Sequence, residues 1–347
     1  MVGVEMDKGI TYKGIDCFKL FAAIGIVAIH TNLPFFETLG RLGLPFFSIV
    51  TSFFFFKHYL KLNSHKEKIY YLKKFEFRLL WLYFLWQILY IPLAIKNSAR
   101  FFEFNGISVT SFLTYIFDLI FKLWPSGVNG WFPSWYIIGM TIAVPFSLFV
   151  YKYIFRKNNY LYGLFCIVVE MYFVLCSGLG ILNLIKVQVI TPDSFPRFLI
   201  YIFLGYLIAS HIENVKKYRF HRVLILACIL VVLFYLENLV ISLLGGSISN
   251  DETILTVPTS LVIVILAILY TPSLRQTTSL RRFSTFLYCF QAWGFAVFDH
   301  FNYSLKLQNT TAAITDFIFV MSTALIAFVI YNFIRNKTQW KIWNYMV

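Results

Sequence analysis

Lys19 and His30 are ionisable residues within the apolar run GIDCFKLFAAIGIVAIHTN, Gly14–Asn32. Eleven residues of α-helix turn through about 1100°, within about 20° of three full turns, and rise about 16 Å. The two side chains are therefore predicted on one face of one helix, half a bilayer apart. Ionisable groups at membrane depth are costly unless they face a protein interior or a wet cavity. The chemistry open to this face is that of a polar shaft along a helix, with a cation at one end and an imidazole at the other.

The elements that would position these residues follow from composition. The 347-residue chain is 59% hydrophobic and only 13% charged, with a mean hydropathy of +0.72. Soluble domains carry about a quarter charged residues. The apolar residues fall in blocks about twenty long, the length of a membrane-spanning helix. The expected fold is all-α, a polytopic membrane helical bundle of about ten transmembrane helices: Cys17–Thr31, Leu42–Phe56, Leu79–Ile95, Trp135–Tyr151, Tyr160–Cys176, Arg197–Ile212, Val223–Leu244, Ile254–Tyr270, Phe283–Asp299 and Ala312–Ile334. Ser111–Leu123 is too short to span and reads as an interfacial or re-entrant helix. One domain covers 1–347, with a tail at 1–16, the bundle at 17–334 and a second tail at 335–347.

With the N-terminus in the cytoplasm, 22 of the 30 Lys and Arg fall on the cytoplasmic side and seven on the other. This positive-inside bias places both termini in the cytoplasm, which an even number of spans satisfies. It also accounts for the net charge of +14 without nucleic acid, since the basic residues are spread over short loops. Met1–Lys13 lacks the apolar run and small-residue end of a cleavable signal, so the first helix is expected to act as an uncleaved insertion signal. The five Cys have no metal-ligand spacing and read as small hydrophobes, with neither disulfides nor metal expected.

In this orientation Lys19 lies near the inner leaflet and His30 near the outer surface. Arg41, Glu170, Arg197, Glu237, Asp299, His300 and Asp316 fall at the same outer depth from other spans, which implies an outward-facing polar pocket. Interfacial placement suits Asp299, His300 and Arg197 equally well, and snorkelling to the interface suits Lys19. Glu170 and Glu237 lie deeper, where a partner or a cavity is expected.

The opening run resembles that of the acyltransferase-3 family of multipass membrane acyltransferases. In that family an Asp precedes an Arg by three residues, small residues follow, and a His closes the helix eleven after the Arg; Asp16, Lys19, Ala22 and His30 occupy those places. RLGLPFFSIVTSFFFF is similar to the family's second-span block through Arg41, Gly43, Phe47, Ser52 and Phe53. WFPSWYIIGM is similar to its aromatic start of a later helix through Trp135 and Tyr136. FPRFLIYIFLGYLIA follows through Arg197 and Gly205, and LRRFSTFLYCFQ resembles a span near the C-terminus. Lys19 stands where the family has Arg, and Ser134 and Gln291 stand where many members have His.

The resemblance implies a membrane O-acyltransferase in the bacterial plasma membrane. Such an enzyme takes an acyl group, often acetyl, from acetyl-CoA or another acyl-CoA in the cytoplasm. It places that group on a hydroxyl of an extracytoplasmic polysaccharide or lipid-linked sugar. On that basis His30 is the expected catalytic base and Lys19 the expected contact to coenzyme A phosphates. Arg41, Trp135, Tyr136, Arg197, Glu170 and Glu237 are the expected acceptor pocket, with the segments Lys96–Ser134 and Gly178–Pro196 setting acceptor choice. Membrane lipid is the surrounding partner, and no metal is needed. Some proteins similar to this family carry the membrane module joined to amino-acid-modifying enzymes and linked to substrate uptake. Two alternatives use the same bundle: a transporter or exporter of a small polar solute or lipid-linked sugar, and a non-catalytic membrane module.

Overall fold

The computed structural model describes residues 12–121, 130–176, 193–274, 276–305 and 309–347. Regular structure among them is helical: α1 (Lys13–His30), α2 (Phe36–Gly40), α3 (Gly43–Tyr59), α4 (His65–Asn105), α5 (Val109–Phe121), α6 (Trp135–Phe149), α7 (Asn159–Cys176), α8 (Leu199–Ser210), α9 (Ile212–Val215), α10 (Phe220–Leu243), α11 (Thr256–Leu269), α12 (Thr278–Leu305) and α13 (Asn309–Thr338). Each of the ten predicted spans coincides with a helix, and Ser111–Leu123 with the short α5. Most of Gly178–Pro196, and residues 122–129 of the segment Lys96–Ser134, lie outside the described residues.

Among the described residues six helical segments are long and apolar enough to cross a membrane: Phe36–Tyr59, α4, Phe132–Ile154, α7, α10 and α13. Phe195–Ser210 and α11 are apolar but shorter. The chemistry of α1 and α12 explains why they fall short. Within its 18 residues α1 carries Lys13, Asp16 and Lys19, and α12 dilutes its apolar residues with Arg281, Arg282, Gln291, Asp299 and His300. Polar residues on such helices are stable only where they face the bundle interior or an interface.

That expectation matches the packing. α1 lies at the centre, against α2, α3, α11, α12 and α13. α7, α10 and α13 turn large apolar side chains outward, among them Leu164, Val168, Ile225, Val232, Ile326 and Phe333. α4 is the longest helix. It starts at a capping box in which the Glu67 carboxylate accepts a hydrogen bond from the Ser64 backbone N–H at 3.2 Å.

The bundle is held close where side chains vanish. A Cβ on Gly205 of α8 would stand 2.5 Å from the Ser52 Cβ and 2.8 Å from the Ile49 carbonyl oxygen of α3. A Cβ on Gly40 would stand 2.1 Å from the Gly25 carbonyl oxygen of α1. Small residues let membrane helices approach and gain dispersion contact. Gly205→Leu is therefore expected to force α3 and α8 apart and to lower the melting temperature of the detergent-solubilised protein, at an overpacking cost of about 1–3 kcal/mol. A melting curve superimposable on that of the wild type would refute this account of the α3–α8 contact.

Candidate functional site

His30 closes α1 at the wall of a cavity of about 90 Å³, which Arg41, Trp135, Asp193, Arg197, Asp251 and Tyr288 also line. Its ring meets Phe132 and Phe295 edge-on, with centroids 4.6 and 5.9 Å away. Among the described residues no group hydrogen-bonds to either ring nitrogen, so both are open to a ligand. Aromatic packing, rather than a carboxylate, fixes the imidazole plane.

Two arginines face this cavity, each held by a carboxylate from the loop between α10 and α11. Arg41 pairs with Asp251, and its Nε donates to the Ser249 Oγ at 2.8 Å. Arg197, in a 3₁₀ turn before α8, pairs with Glu252 and donates through Nη2 to the Asp251 carbonyl oxygen at 2.7 Å. Tyr201 donates its hydroxyl to the other Glu252 oxygen at 2.7 Å, and the Trp135 ring lies 5.8 Å from the Arg197 guanidinium. Glu170 is buried beside Glu252, behind the cavity wall. Burial and the nearby Asp251 carboxylate hold the Asp193 carboxyl above the usual carboxylate range, partly offset by Arg197 and Arg41. The result is a small, nearly charge-balanced pocket with an imidazole on its wall.

The opposite end of α1 is a cationic cluster. Lys19 is half-buried, its Nζ 5.6 Å from the Phe54 ring, with Asp16, Arg281 and Arg78 within electrostatic range. Asp16 accepts a hydrogen bond from Thr277 at 2.7 Å, which ties α1 to the start of α12. Three cations from α1, α4 and α12 thus lie within electrostatic range of one another, with Asp16 beside Lys19.

The shaft expected between the two ends is closed. The cavity of His30 reaches Ile26, and Lys19 is not on its wall. Ile26 is buried one turn inside His30, and Ala23 and Val27 are fully buried against Leu287, Val320 and Ala324. Among the described residues close apolar packing, not a polar passage, fills the waist of the bundle along α1.

Of the predicted acceptor residues, the structure brings Arg41, Trp135 and Arg197 to the cavity of His30. Tyr136 lies beside it, its hydroxyl 3.3 Å from the Thr51 Oγ1 and its ring 5.8 Å from Tyr288. Glu237 is turned elsewhere: its carboxylate accepts from the Ile254 and Leu255 N–H groups at 2.9 and 3.0 Å, capping the approach to α11. A carboxylate there satisfies backbone donors and favours the helix dipole. Asp299 and His300 are exposed at the end of α12, and Asp316 is electrostatically coupled to Asp299 rather than to the cavity. Ser134 and Gln291 are buried, the latter donating to the Tyr288 carbonyl oxygen at 2.9 Å.

Asp251, Glu252, Asp193, Arg78 and Arg281 were not singled out by sequence reasoning. The signal for the acids was indirect. Two arginines on the outer side of apolar helices need counter-charges, and the loop sequence SNDET is where acids are available.

A family profile described as an acyltransferase domain matches residues 12–332, nearly the whole chain. This protein belongs to the acyltransferase-3 family of membrane acyltransferases. Two amino-acid racemases of Enterococcus faecalis are also similar to it, one 30% identical over 155 residues and the other 29% over 146. These alignments take in 40% and 38% of this chain, and only 22% and 19% of the racemases. The chain therefore spans about a fifth of the length of those curated relatives. No solved structure matches it.

Proposed function

We propose that this acyltransferase-3 protein moves an acyl group, acetyl in the first instance, from a cytoplasmic acyl-CoA to a hydroxyl of an extracytoplasmic polysaccharide or lipid-linked sugar, within the bacterial plasma membrane. The observation that carries this reading is His30, with both ring nitrogens open at the wall of a polar cavity. In the reaction a ring nitrogen of His30 takes the acceptor hydroxyl proton as its oxygen attacks the thioester carbonyl. The C–S bond then breaks, and the proton passes to the departing thiolate. Trp135, Arg41 and Arg197 orient a neutral, hydroxyl-rich acceptor, because both guanidinium charges are already balanced.

The inner cluster supports the donor side. A lysine cannot offer the planar fork that grips a phosphate, but Arg78 and Arg281 can, and both lie within electrostatic range of Lys19. The thioester must pass Ile26 to meet His30, so turnover requires that α1 part from its neighbours at the waist. Binding of a non-hydrolysable acetyl-CoA analogue to the purified protein tests the proposal. Tight binding that weakens at least tenfold in the Arg78→Gln, Arg281→Gln double variant is expected, each lost charge-assisted contact being worth about 1.5–3 kcal/mol. A wild-type protein blind to coenzyme A would dispose of the donor assignment.

The racemase similarity favours a second reading, in which the bundle carries a small polar solute past the membrane for an amino-acid-modifying enzyme. Uptake of labelled serine or alanine, undiminished by His30→Ala, would select that reading.

A further inference from the structure

A second, larger cavity lies on the bundle's flank and shares no lining residue with the cavity of His30. It is a groove of about 510 Å³ between α4, α12 and α13, floored by Trp86, Phe286, Trp293, Ala327 and Tyr331. Its rim includes Leu89, Ile330 and Ile334, all exposed on the outer face of the bundle. Several polar atoms in the wall are used internally. Trp86 Nε1 donates to the Met346 carbonyl oxygen at 3.0 Å, Tyr331 to the Trp343 carbonyl oxygen at 2.7 Å, and Thr323 to the Phe319 carbonyl oxygen at 2.8 Å. The surface offered to a ligand is therefore hydrocarbon, open to a hydrocarbon solvent.

One end of the groove is charged. Arg282 precedes Phe286 by four residues on α12, and Arg335 follows Tyr331 by four on α13. Residues four apart share a helix face, so both arginines stand one turn beyond groove-lining residues, at the same end. They interact electrostatically with each other, and both act on Tyr331. The neighbouring Arg281, about 100° round the helix, acts on Lys19 and Arg78 as well as on Arg282.

We propose that this groove binds one acyl chain of an anionic phospholipid, whose phosphate is held between Arg282 and Arg335. Charge complementarity selects the headgroup, since like-charged guanidinium groups at a membrane interface gain from an intervening anion. The apolar floor selects the tail. The site stands whether or not the acyl-transfer reading does.

Native mass spectrometry of the full chain in micelles doped with phosphatidylglycerol or phosphatidylcholine tests it. One phosphatidylglycerol is expected to bind at about thirtyfold lower concentration than phosphatidylcholine, the preference two basic residues give at a membrane surface. Arg282→Gln with Arg335→Gln should erase the preference, the corresponding Lys pair should keep most of it, and Ala327→Trp should weaken binding of both lipids by filling the groove. Glycerol phosphate, which has the anion without the chain, should not compete. Equal binding of the two lipids by the wild type overturns the proposal even if a variant fails to fold, as does phosphatidylglycerol binding that the Gln pair and Ala327→Trp leave unchanged.

Discussion

His30→Ala is expected to reduce transfer of ester-linked acyl groups to the cell envelope by about 10²–10⁴-fold, the usual contribution of a positioned general base, while the protein stays folded in the membrane. The two halves of this expectation have separate causes. Activity falls because His30 is the one imidazole among the described residues of the cavity wall: Arg41 and Arg197 are cations, Asp251 is bound to Arg41, and Asp193 is a carboxyl set between those charges. The fold survives because His30 holds no hydrogen bond among the described residues and gives up only edge contacts to Phe132 and Phe295. Acyl content of the envelope and a melting curve from the same preparation read both halves. Unchanged acyl content would remove His30 from the reaction.

Glu252→Ala is expected to be the most destabilising single substitution around the cavity, by about 3–5 kcal/mol, the cost of stranding one member of a buried ion pair. The side chains of Arg197 and Glu252 are only 3% and 0% exposed. Without Glu252, the guanidinium keeps the Asp251 carbonyl oxygen and loses its buried counter-charge, while Tyr201 loses its acceptor. The pair of Arg41 and Asp251 is 25% and 35% exposed, so Asp251→Ala should cost closer to the 0–1 kcal/mol, roughly, of a solvated pair. Pairing Glu252→Leu with Arg197→Met removes both charges and should recover most of the stability without restoring the cavity. Thermal unfolding of the three variants in one detergent tests the order. Equal losses from Glu252→Ala and Asp251→Ala would show that burial does not set the difference.

The helices were legible because a membrane imposes its own spacing on sequence: apolar runs about twenty long, interrupted by clusters such as KKYRFHR and SLRR. Depth was legible too, which is why His30, Arg41 and Arg197 were grouped and do meet at one cavity; Trp135, which joins them there, came from the family resemblance. Direction around a helix was not. Glu237 shares the depth of the cavity, yet faces the start of α11, and no periodicity reports which neighbour a lone polar residue will meet. Asp251 and Glu252 lie in a loop with no repeat to betray its path. Arg78 and Arg281 were absorbed into the positive-inside count, which records the side of a residue and nothing of its company. The closed waist was hidden as well, since alanines, valines and isoleucines on α1 suit a passage wall or a plug equally.

The packing of Ile26, Ala23 and Val27 also bears on the cell's electrical insulation. On the proposed reaction a thioester and an alcohol meet across a bilayer, and a standing water column between them would short-circuit the ion gradient the host maintains. Among the described residues the apolar side chains packed between the cavity of His30 and the cations around Lys19 leave no such column along α1, so on that reading leakage is confined to the brief interval of each turnover.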